Sequence, residues 1–204
     1  MLFLALRGML VLLFGLSAGH RERLPRTGPA IVAANHNSHL DIVLLLASLP
    51  AEALKIARPV GAEDYFFRTP VMRFVAGKVL RFLPVERRIT RGSDPLGPAR
   101  EALKGGAILI VFPEGTRGSP EEMGALKSGV TKLAVEADAA ITPVYLQGAG
   151  RILPKGTRLP VPFTVSVLVG EAITVAAGER AEAMGALEAE FAGLRDAAPP
   201  LYWH

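Results

Sequence analysis

The chain has 204 residues and a formal net charge of +4, and half of its residues are hydrophobic. With that hydrophobic share and 21% charged residues, a disordered or acidic solvating chain is excluded. The absence of cysteine excludes disulfides, a cysteine nucleophile and thiolate metal sites. Residues 1–100 carry 14 basic and 7 acidic side chains. This basic, hydrophobic front half favours a membrane surface or a phosphorylated small molecule over nucleic acid as the partner.

The first predicted element is an N-terminal helix, because residues 1–19 are apolar except for Arg7. Three arginines follow within the next seven residues, whereas a cleaved signal peptide would carry its positive charge before the apolar run. A helix in the membrane interface fits this pattern best, while a transmembrane span and a buried core helix stay open. We therefore predict a membrane-associated helix and basic flank over residues 1–24, on the cytoplasmic face of the cell membrane, and one domain over 25–204.

Apolar runs rich in branched residues alternate with helical patterns along the rest of the chain. The predicted strands are Ala30–Ala34, Leu54–Ala57, Phe82–Val85, Ala107–Phe112, Ile141–Leu146 and Phe163–Val169. The predicted helices after the N-terminal one are Leu40–Ser48, Pro70–Leu80, Asp94–Lys104, Ala125–Ala137 and Ala181–Leu194. This alternation predicts an α/β fold with a central, mostly parallel or mixed sheet covered by helices on both faces.

Polar clusters follow four of the predicted strands. They are Asn35-His36, Glu86-Arg87-Arg88, Pro113–Arg117 and Gln147-Gly148. Ligands of open α/β sheets gather beyond the carboxyl ends of parallel strands. If these strands are parallel neighbours, their ends form one rim with a histidine, carboxylates and arginines, which suits catalysis on an anionic substrate.

The histidine of this rim has a carboxylate nearby in the sequence. Ser38 has the position of a helix N-cap, Asp41 lies in the first helical turn, and His36 lies in the preceding loop. If the ring folds back onto Asp41, the carboxylate fixes its tautomer and leaves the other ring nitrogen as a base for a hydroxyl. Two alternatives stay open: a capping box beside an ordinary loop histidine, and a metal site formed by His36, His39, Asp41 and Glu114.

A second polar segment, Phe112–Gly118, ends another apolar strand. Pro113 stops strand pairing and Gly115 permits an unusual backbone, which predicts a tight loop above the sheet edge. Arg117 on this loop can bind a phosphate through two hydrogen bonds, and Glu114 can accept hydrogen bonds from substrate hydroxyls. The alternative is an ordinary turn with an exposed ion pair.

These two segments resemble the conserved blocks of the glycerolipid acyltransferase family, which includes bacterial 1-acylglycerol-3-phosphate acyltransferases. The family shows an N-H-x-S-x-x-D block, as in Asn35–Asp41, and an F-P-E-G-T-R block, as in Phe112–Arg117. Its arginine after a short apolar strand matches Leu83–Arg87, and its apolar-Pro-apolar block matches Ile141–Tyr145. All four occur in the family's order, within a resemblance that covers residues 25–176.

The resemblance implies that residues 25–204 form an acyltransferase domain of phospholipid biosynthesis. Such an enzyme moves a fatty acyl group from an acyl thioester to a hydroxyl of a lysophospholipid. The acceptor that the resemblance favours is 1-acylglycerol-3-phosphate, whose acylation yields phosphatidic acid. By this resemblance His36 is the general base and Asp41 orients it. The implied substrate-binding residues are Glu114, Gly115, Thr116, Arg117, Arg87 and Lys127, with the cations at the phosphate and Glu114 at the glycerol part.

The resemblance also defines the expected partners. They are a lysolipid acceptor, an acyl carrier protein or coenzyme A thioester as co-substrate, and a membrane surface. No metal, organic cofactor or nucleic acid is expected. The alternatives are acyl transfer to a lyso-ornithine lipid or a glycolipid, a metal-dependent hydrolase, and a non-enzymatic membrane-binding protein.

Overall fold

The computed structural model describes residues 15–38, 40–62, 74–85, 93–118, 123–152 and 163–200, together with residues 8, 9, 11 and 13. Its strands are β1 Ser17–Gly19, β2 Ala30–Ala34, β3 Ala57–Ala62, β4 Leu83–Val85, β5 Ile108–Val111, β6 Ala140–Gln147 and β7 Ser166–Val169. Its α-helices are α1 Asp41–Ser48, α2 Gly97–Lys104, α3 Gly129–Ala137, α4 Ala149–Ile152 and α5 Arg180–Asp196. A π-helical turn covers Val75–Val79, and 3₁₀ turns cover Arg21–Arg23 and Ala53–Lys55.

The seven described strands form one mixed sheet in the order β1-β7-β6-β2-β5-β3-β4. Strands β6 and β7 pair antiparallel, and every other neighbouring pair is parallel. The predicted α/β class with a mostly parallel or mixed sheet is therefore confirmed. Strands β2 to β6 all end at the same edge of the sheet, which we call the carboxyl edge.

Helices cover both faces of this sheet, as the continuous apolar strands predict. Strand β2 is buried throughout, so its side chains enter the core on both faces. Val32 and Ala34 share one core with α1, whereas Ile31 and Ala33 share the opposite core with α2, α3 and α5. The central strand is thus held from both sides, and the loop that follows it starts from a fixed point.

Helix α1 is buried almost all round, which explains its apolar sequence. Seven of its eight residues are buried, including Asp41 at its first position. The core on this side also contains Phe82 and Ile152, from segments far away in the sequence. The first turn of α1 therefore places a carboxylate in an environment from which water is excluded.

Three local predictions differ from the structure. The strand predicted at Leu54–Ala57 begins only at Ala57, because a 3₁₀ turn occupies Ala53–Lys55. The described part of the helix predicted at Pro70–Leu80 is the π-helical turn at Val75–Val79. Strand β1 lies inside the segment predicted as an N-terminal helix, and it forms because β7 offers a free edge.

The N-terminal segment joins the sheet at the carboxyl edge. Strand β1 runs parallel to β7, and both begin level with Gln147, the last residue of β6. The helical residues Met9, Val11 and Leu13 precede β1 and are 49%, 45% and 52% exposed. In the part of the chain that the structure describes, no helix is both long and apolar enough to cross a membrane. The division of the chain after residue 24 stays a prediction.

Candidate active site

The structure brings His36 and Asp41 together at the carboxyl edge. His36 follows β2 in the loop before α1, and its ring folds back so that Nδ1 lies 2.8 Å from Oδ2 of Asp41. The Asp41 side chain is fully buried, whereas the His36 side chain is 18% exposed. A buried carboxylate therefore supports a partly exposed imidazole, the arrangement that suits a histidine base.

The same carboxylate oxygen also holds the loop between the two residues. Oδ2 of Asp41 accepts the backbone N–H of Asn37 at 2.7 Å and of Ser38 at 2.8 Å. Ser38 does not cap the helix as predicted, because its hydroxyl accepts the N–H of Leu40 instead. With an acceptor at Nδ1, the ring proton belongs on Nδ1 and the lone pair on Nε2. The loop thus sets both the direction and the tautomer of the ring.

Phe112 supports the face of the His36 ring. The two rings stack with centroids 4.1 Å apart and planes 19° apart. Strands β2 and β5 are parallel neighbours, so the residues that follow them meet at the carboxyl edge. The stack restricts rotation of the imidazole about its Cβ–Cγ bond. Sequence reasoning gave Phe112 no function, although its place at the strand end was visible.

Glu114 is buried beneath the same loop rather than exposed above it, with 4% of its surface accessible. Its Oε1 accepts the backbone N–H of His36 at 2.8 Å, and its Oε2 accepts the backbone N–H of Gly124 at 2.8 Å. In return, the N–H of Gly118 donates to the carbonyl of His36 at 2.9 Å. The segment after β5 and the histidine loop are therefore joined on both sides of His36. No sequence signal indicated Gly124.

The remaining predicted binding residues of this segment lie on a tight turn. Gly115 has φ +69° and donates its N–H to the carbonyl of Phe112 at 3.0 Å. The side chain of Lys127 lies across Gly115, where a Cβ would come 2.9 Å from Cε of the lysine. Thr116 and Arg117 are exposed. The structure thus places Glu114, Gly115, Thr116, Arg117 and Lys127 around one turn, whereas Arg87 lies outside the described residues.

Asn35 fastens the end of β2 to β6. Its side-chain amide donates to the carbonyl of Leu146 at 3.0 Å, and its side-chain oxygen accepts the N–H of Leu146 at 2.6 Å. The residue is 1% exposed. Its amide therefore extends the pairing of the two strands and fixes where the histidine loop begins.

The predicted metal alternative has little geometric support within the described residues. No group of three or more His, Cys, Asp or Glu side chains there could hold a metal ion. His39, one of the four candidate ligands, lies outside the described residues. Among the groups that the structure describes, the site contains the His36–Asp41 pair near the exposed side chains of Arg117 and Lys127.

The fold and this geometry define an α/β protein with a histidine hydrogen-bonded to a buried aspartate at the carboxyl edge of its sheet. The model of the family described as Acyltransferase matches residues 17–147. The chain therefore belongs to the acyltransferase family.

Three similar proteins illustrate the match. The chain is 33% identical over 139 residues to the chloroplastic 1-acyl-sn-glycerol-3-phosphate acyltransferase LPAT1 of Arabidopsis thaliana, covering 67% of this chain and 37% of that protein. It is 40% identical over 73 residues to the 1-acyl-sn-glycerol-3-phosphate acyltransferase of Pseudomonas aeruginosa, covering 36% and 28%. A crystal structure of the 1-acyl-sn-glycerophosphate acyltransferase PlsC from Thermotoga maritima matches in fold with a TM-score of 0.74, 24% identity and coverage of 97% and 78%. The chain thus spans less than half the length of these two curated relatives.

Proposed function

We propose that this chain transfers a fatty acyl group from an acyl thioester to the free hydroxyl of a lysophospholipid, with 1-acylglycerol-3-phosphate as the acceptor. The observation that carries the proposal is the 2.8 Å contact between Nδ1 of His36 and the fully buried Asp41. This contact leaves Nε2 as the acceptor of a proton. The curated relatives, whose printed names are those of 1-acyl-sn-glycerol-3-phosphate acyltransferases, support the choice of acceptor.

The reaction follows from these groups. Nε2 of His36 takes the hydroxyl proton while the hydroxyl oxygen attacks the thioester carbonyl, and Asp41 stabilises the resulting imidazolium. The tetrahedral intermediate then collapses, the C–S bond breaks, and the thiolate leaves with the proton held by His36. One ester and one thiol form for each thioester consumed. The chain has no cysteine to carry the acyl group, and direct attack by the acceptor needs none.

The exposed cations of the turn support an anionic acceptor. The side chain of Lys127 lies across Gly115, Arg117 follows two residues after Gly115, and the next residue, Gly118, bonds to the loop that holds His36. A guanidinium binds a phosphate through two parallel hydrogen bonds, and an ammonium adds charge without fixed geometry. We assign the acceptor phosphate to these two residues and, by the family resemblance, to Arg87.

A panel of acceptors tests the proposal. Purified protein should form product from acyl-carrier-protein or coenzyme A thioesters with 1-acylglycerol-3-phosphate, and form less with lysophosphatidylethanolamine, a lyso-ornithine lipid, a glycolipid and monoacylglycerol. Chelator should leave the rate unchanged. Preference for the lyso-ornithine lipid or glycolipid would overturn the assigned acceptor. Activity abolished by chelator and restored by a metal would favour the metal-dependent hydrolase instead.

Arg117→Ala should raise the acceptor KM by about tenfold or more, because a hydrogen bond to a charged group contributes about 1.5–3 kcal/mol. The kcat should change little, since the guanidinium holds the phosphate in the ground state and in the transition state alike. Steady-state kinetics with the acceptor varied measure both constants. Arg180→Ala, an exposed arginine at the start of α5, is the control and should leave both unchanged. An unchanged acceptor KM in Arg117→Ala would contradict the phosphate assignment.

We further propose that the N-terminal segment holds the protein on the cytoplasmic face of a membrane. Met9, Val11 and Leu13 are exposed and precede β1 at the edge of the sheet where His36 lies. Burying three such side chains in lipid would contribute several kcal/mol, at about 1.5–3 kcal/mol each. The active site would then face the surface that contains the lysolipid.

Replacement of Met9, Val11 and Leu13 together by serine should weaken binding to vesicles that contain anionic lipid. Vesicle flotation measures the bound fraction, which should fall by about tenfold or more, given the transfer free energies of these side chains. The melting temperature should not change, because these side chains lie outside both cores. Unchanged flotation of the triple variant would contradict the proposed membrane segment.

A further inference from the structure

We propose that Glu114 is a positioning residue that sets the place of the histidine base, rather than a contact for the glycerol part of the acceptor. The inference rests on the proposed function, because it assigns a task within the same site. The observation is that both carboxylate oxygens are occupied inside the protein. One accepts the N–H of His36 and the other accepts the N–H of Gly124, each at 2.8 Å.

Burial separates the two possible roles of this carboxylate. A group that receives a substrate hydroxyl must reach the cleft, yet Glu114 is only 4% exposed while its neighbours Gly115, Thr116 and Arg117 are exposed. A buried charge is costly unless hydrogen bonds compensate it, and the two backbone N–H groups supply that compensation. The carboxylate is therefore stabilised by the main chain that it joins.

The position of these bonds explains what Glu114 does for the reaction. Asp41 and Phe112 fix the direction and the plane of the His36 ring. Asp41 also holds the main chain after His36 through the N–H groups of Asn37 and Ser38, but it does not bind the N–H of His36 itself. Glu114 holds the N–H of His36, and Gly118, four residues after Glu114, holds its carbonyl. The main chain of the base is thus tied to the loop after β5, which also carries Arg117. The Glu114 carboxylate therefore keeps the base in a fixed position relative to the phosphate site.

The hydrogen bond from Gly124 to Glu114 fixes the position of the following segment in the same way. Gly124 belongs to the stretch that leads to Lys127, whose N–H donates to the carbonyl of Pro113 at 2.9 Å. A Cβ on Gly124 would come 3.1 Å from Oε2 of Glu114, so the main chain approaches the carboxylate closely. Glu114 thereby joins the loop with the base to two parts of the connection between β5 and α3, the part with Arg117 and the part with Lys127.

Glu114→Gln tests this role, because the amide keeps one acceptor but turns its NH₂ group toward a backbone N–H that needs an acceptor. We expect kcat to fall by about 10–100-fold, since misplacement of a catalytic group by about 1 Å can cost about 10²-fold. The acceptor KM should stay within about twofold, because no substrate contact is removed. Arg117 lies on the same loop as Glu114, and Lys127 keeps its own main-chain bond to Pro113. A substrate-contact role predicts a raised acceptor KM instead, so any such rise, or an unchanged kcat, would overturn the inference.

Glu101→Gln, an exposed glutamate on α2, is the matched control and should leave kcat and KM unchanged. If Glu114→Gln does not fold, hydrogen exchange of the wild-type protein tests the two bonds of Glu114 instead. The amides of His36 and Gly124 should exchange slowly, and fast exchange at either would overturn the proposed bonds. Absence of any acyl transfer by the wild-type protein would instead refute the proposed function, while exchange at these two amides would still test the role of Glu114.

Discussion

Replacing His36 with alanine should lower kcat for acyl transfer by about 10²–10⁴-fold, the range that a positioned general base contributes. The ring is partly exposed and is hydrogen-bonded to a buried carboxylate, and alanine leaves no proton acceptor in its place. The acceptor KM should change little, because the phosphate is assigned to cations on another loop. Thiol release from the acyl thioester, with the acceptor saturating, measures the effect.

The variant loses one ring stack, a contribution of about 0.5–1.5 kcal/mol, and one hydrogen bond to Asp41, about 1.5–3 kcal/mol. It should remain folded, since the His36 side chain is partly exposed and the N–H groups of Asn37 and Ser38 still compensate the buried carboxylate. His20→Asn is the control, because His20 is an exposed histidine in a turn with φ +55°, a conformation that asparagine tolerates. The control should keep the wild-type rate. A His36→Ala protein that retains the full rate would exclude the histidine as the base and would favour the non-enzymatic alternative.

Asp41→Asn should also lower kcat, by up to about 10⁴-fold, which is the loss when the aspartate of a catalytic triad becomes asparagine. If the new oxygen occupies the place of Oδ2, it still accepts the three N–H groups but cannot stabilise an imidazolium by charge. If the NH₂ group occupies that place, it donates to Nδ1 and moves the ring proton to Nε2. Either arrangement leaves His36 a poorer base.

The same substitution weakens the start of α1, so stability must be measured beside the rate. Oδ2 of Asp41 accepts two backbone N–H groups as well as the ring, and hydrogen bonds to a charged group contribute about 1.5–3 kcal/mol each. Because asparagine retains an acceptor, the free energy of unfolding should fall by about 1–3 kcal/mol in denaturant titration. Lower stability with an unchanged rate would mean that Asp41 only stabilises the loop and the helix start.

Strands with unbroken apolar runs could be predicted from the sequence, whereas β1 and β3 could not. Strand β2 has the predicted bounds because its unbroken apolar run is buried on both faces. Strand β3 contains Arg58, Pro59 and Gly61, which give no strand pattern, and it forms by pairing with β5 and β4. Strand β1 likewise depends on its partner β7 rather than on its own three residues. In these two strands, tertiary pairing outweighs local propensity.

Some contacts of the candidate site could likewise be predicted from the sequence, and others could not. The closeness of His36 and Asp41 was predictable because only four residues separate them and the helix start fixes their geometry. The stack with Phe112 could have been found from alternation, since His36 continues the face of Val32 and Ala34, and Phe112 continues the face of Ile108 and Ile110. The bonds of Glu114 could not, because its partners are backbone N–H groups on separate loops that carry no side-chain signal.

The most direct test of the account is the product that purified protein forms from an acyl thioester and 1-acylglycerol-3-phosphate, identified by mass spectrometry. Direct acyl transfer to the acceptor predicts phosphatidic acid carrying the donor's acyl chain, with one thiol released per new ester and no acyl group left on the protein. Folded protein that forms no acylated product from this or any other lysolipid, with thiol release no faster than without protein, would contradict it.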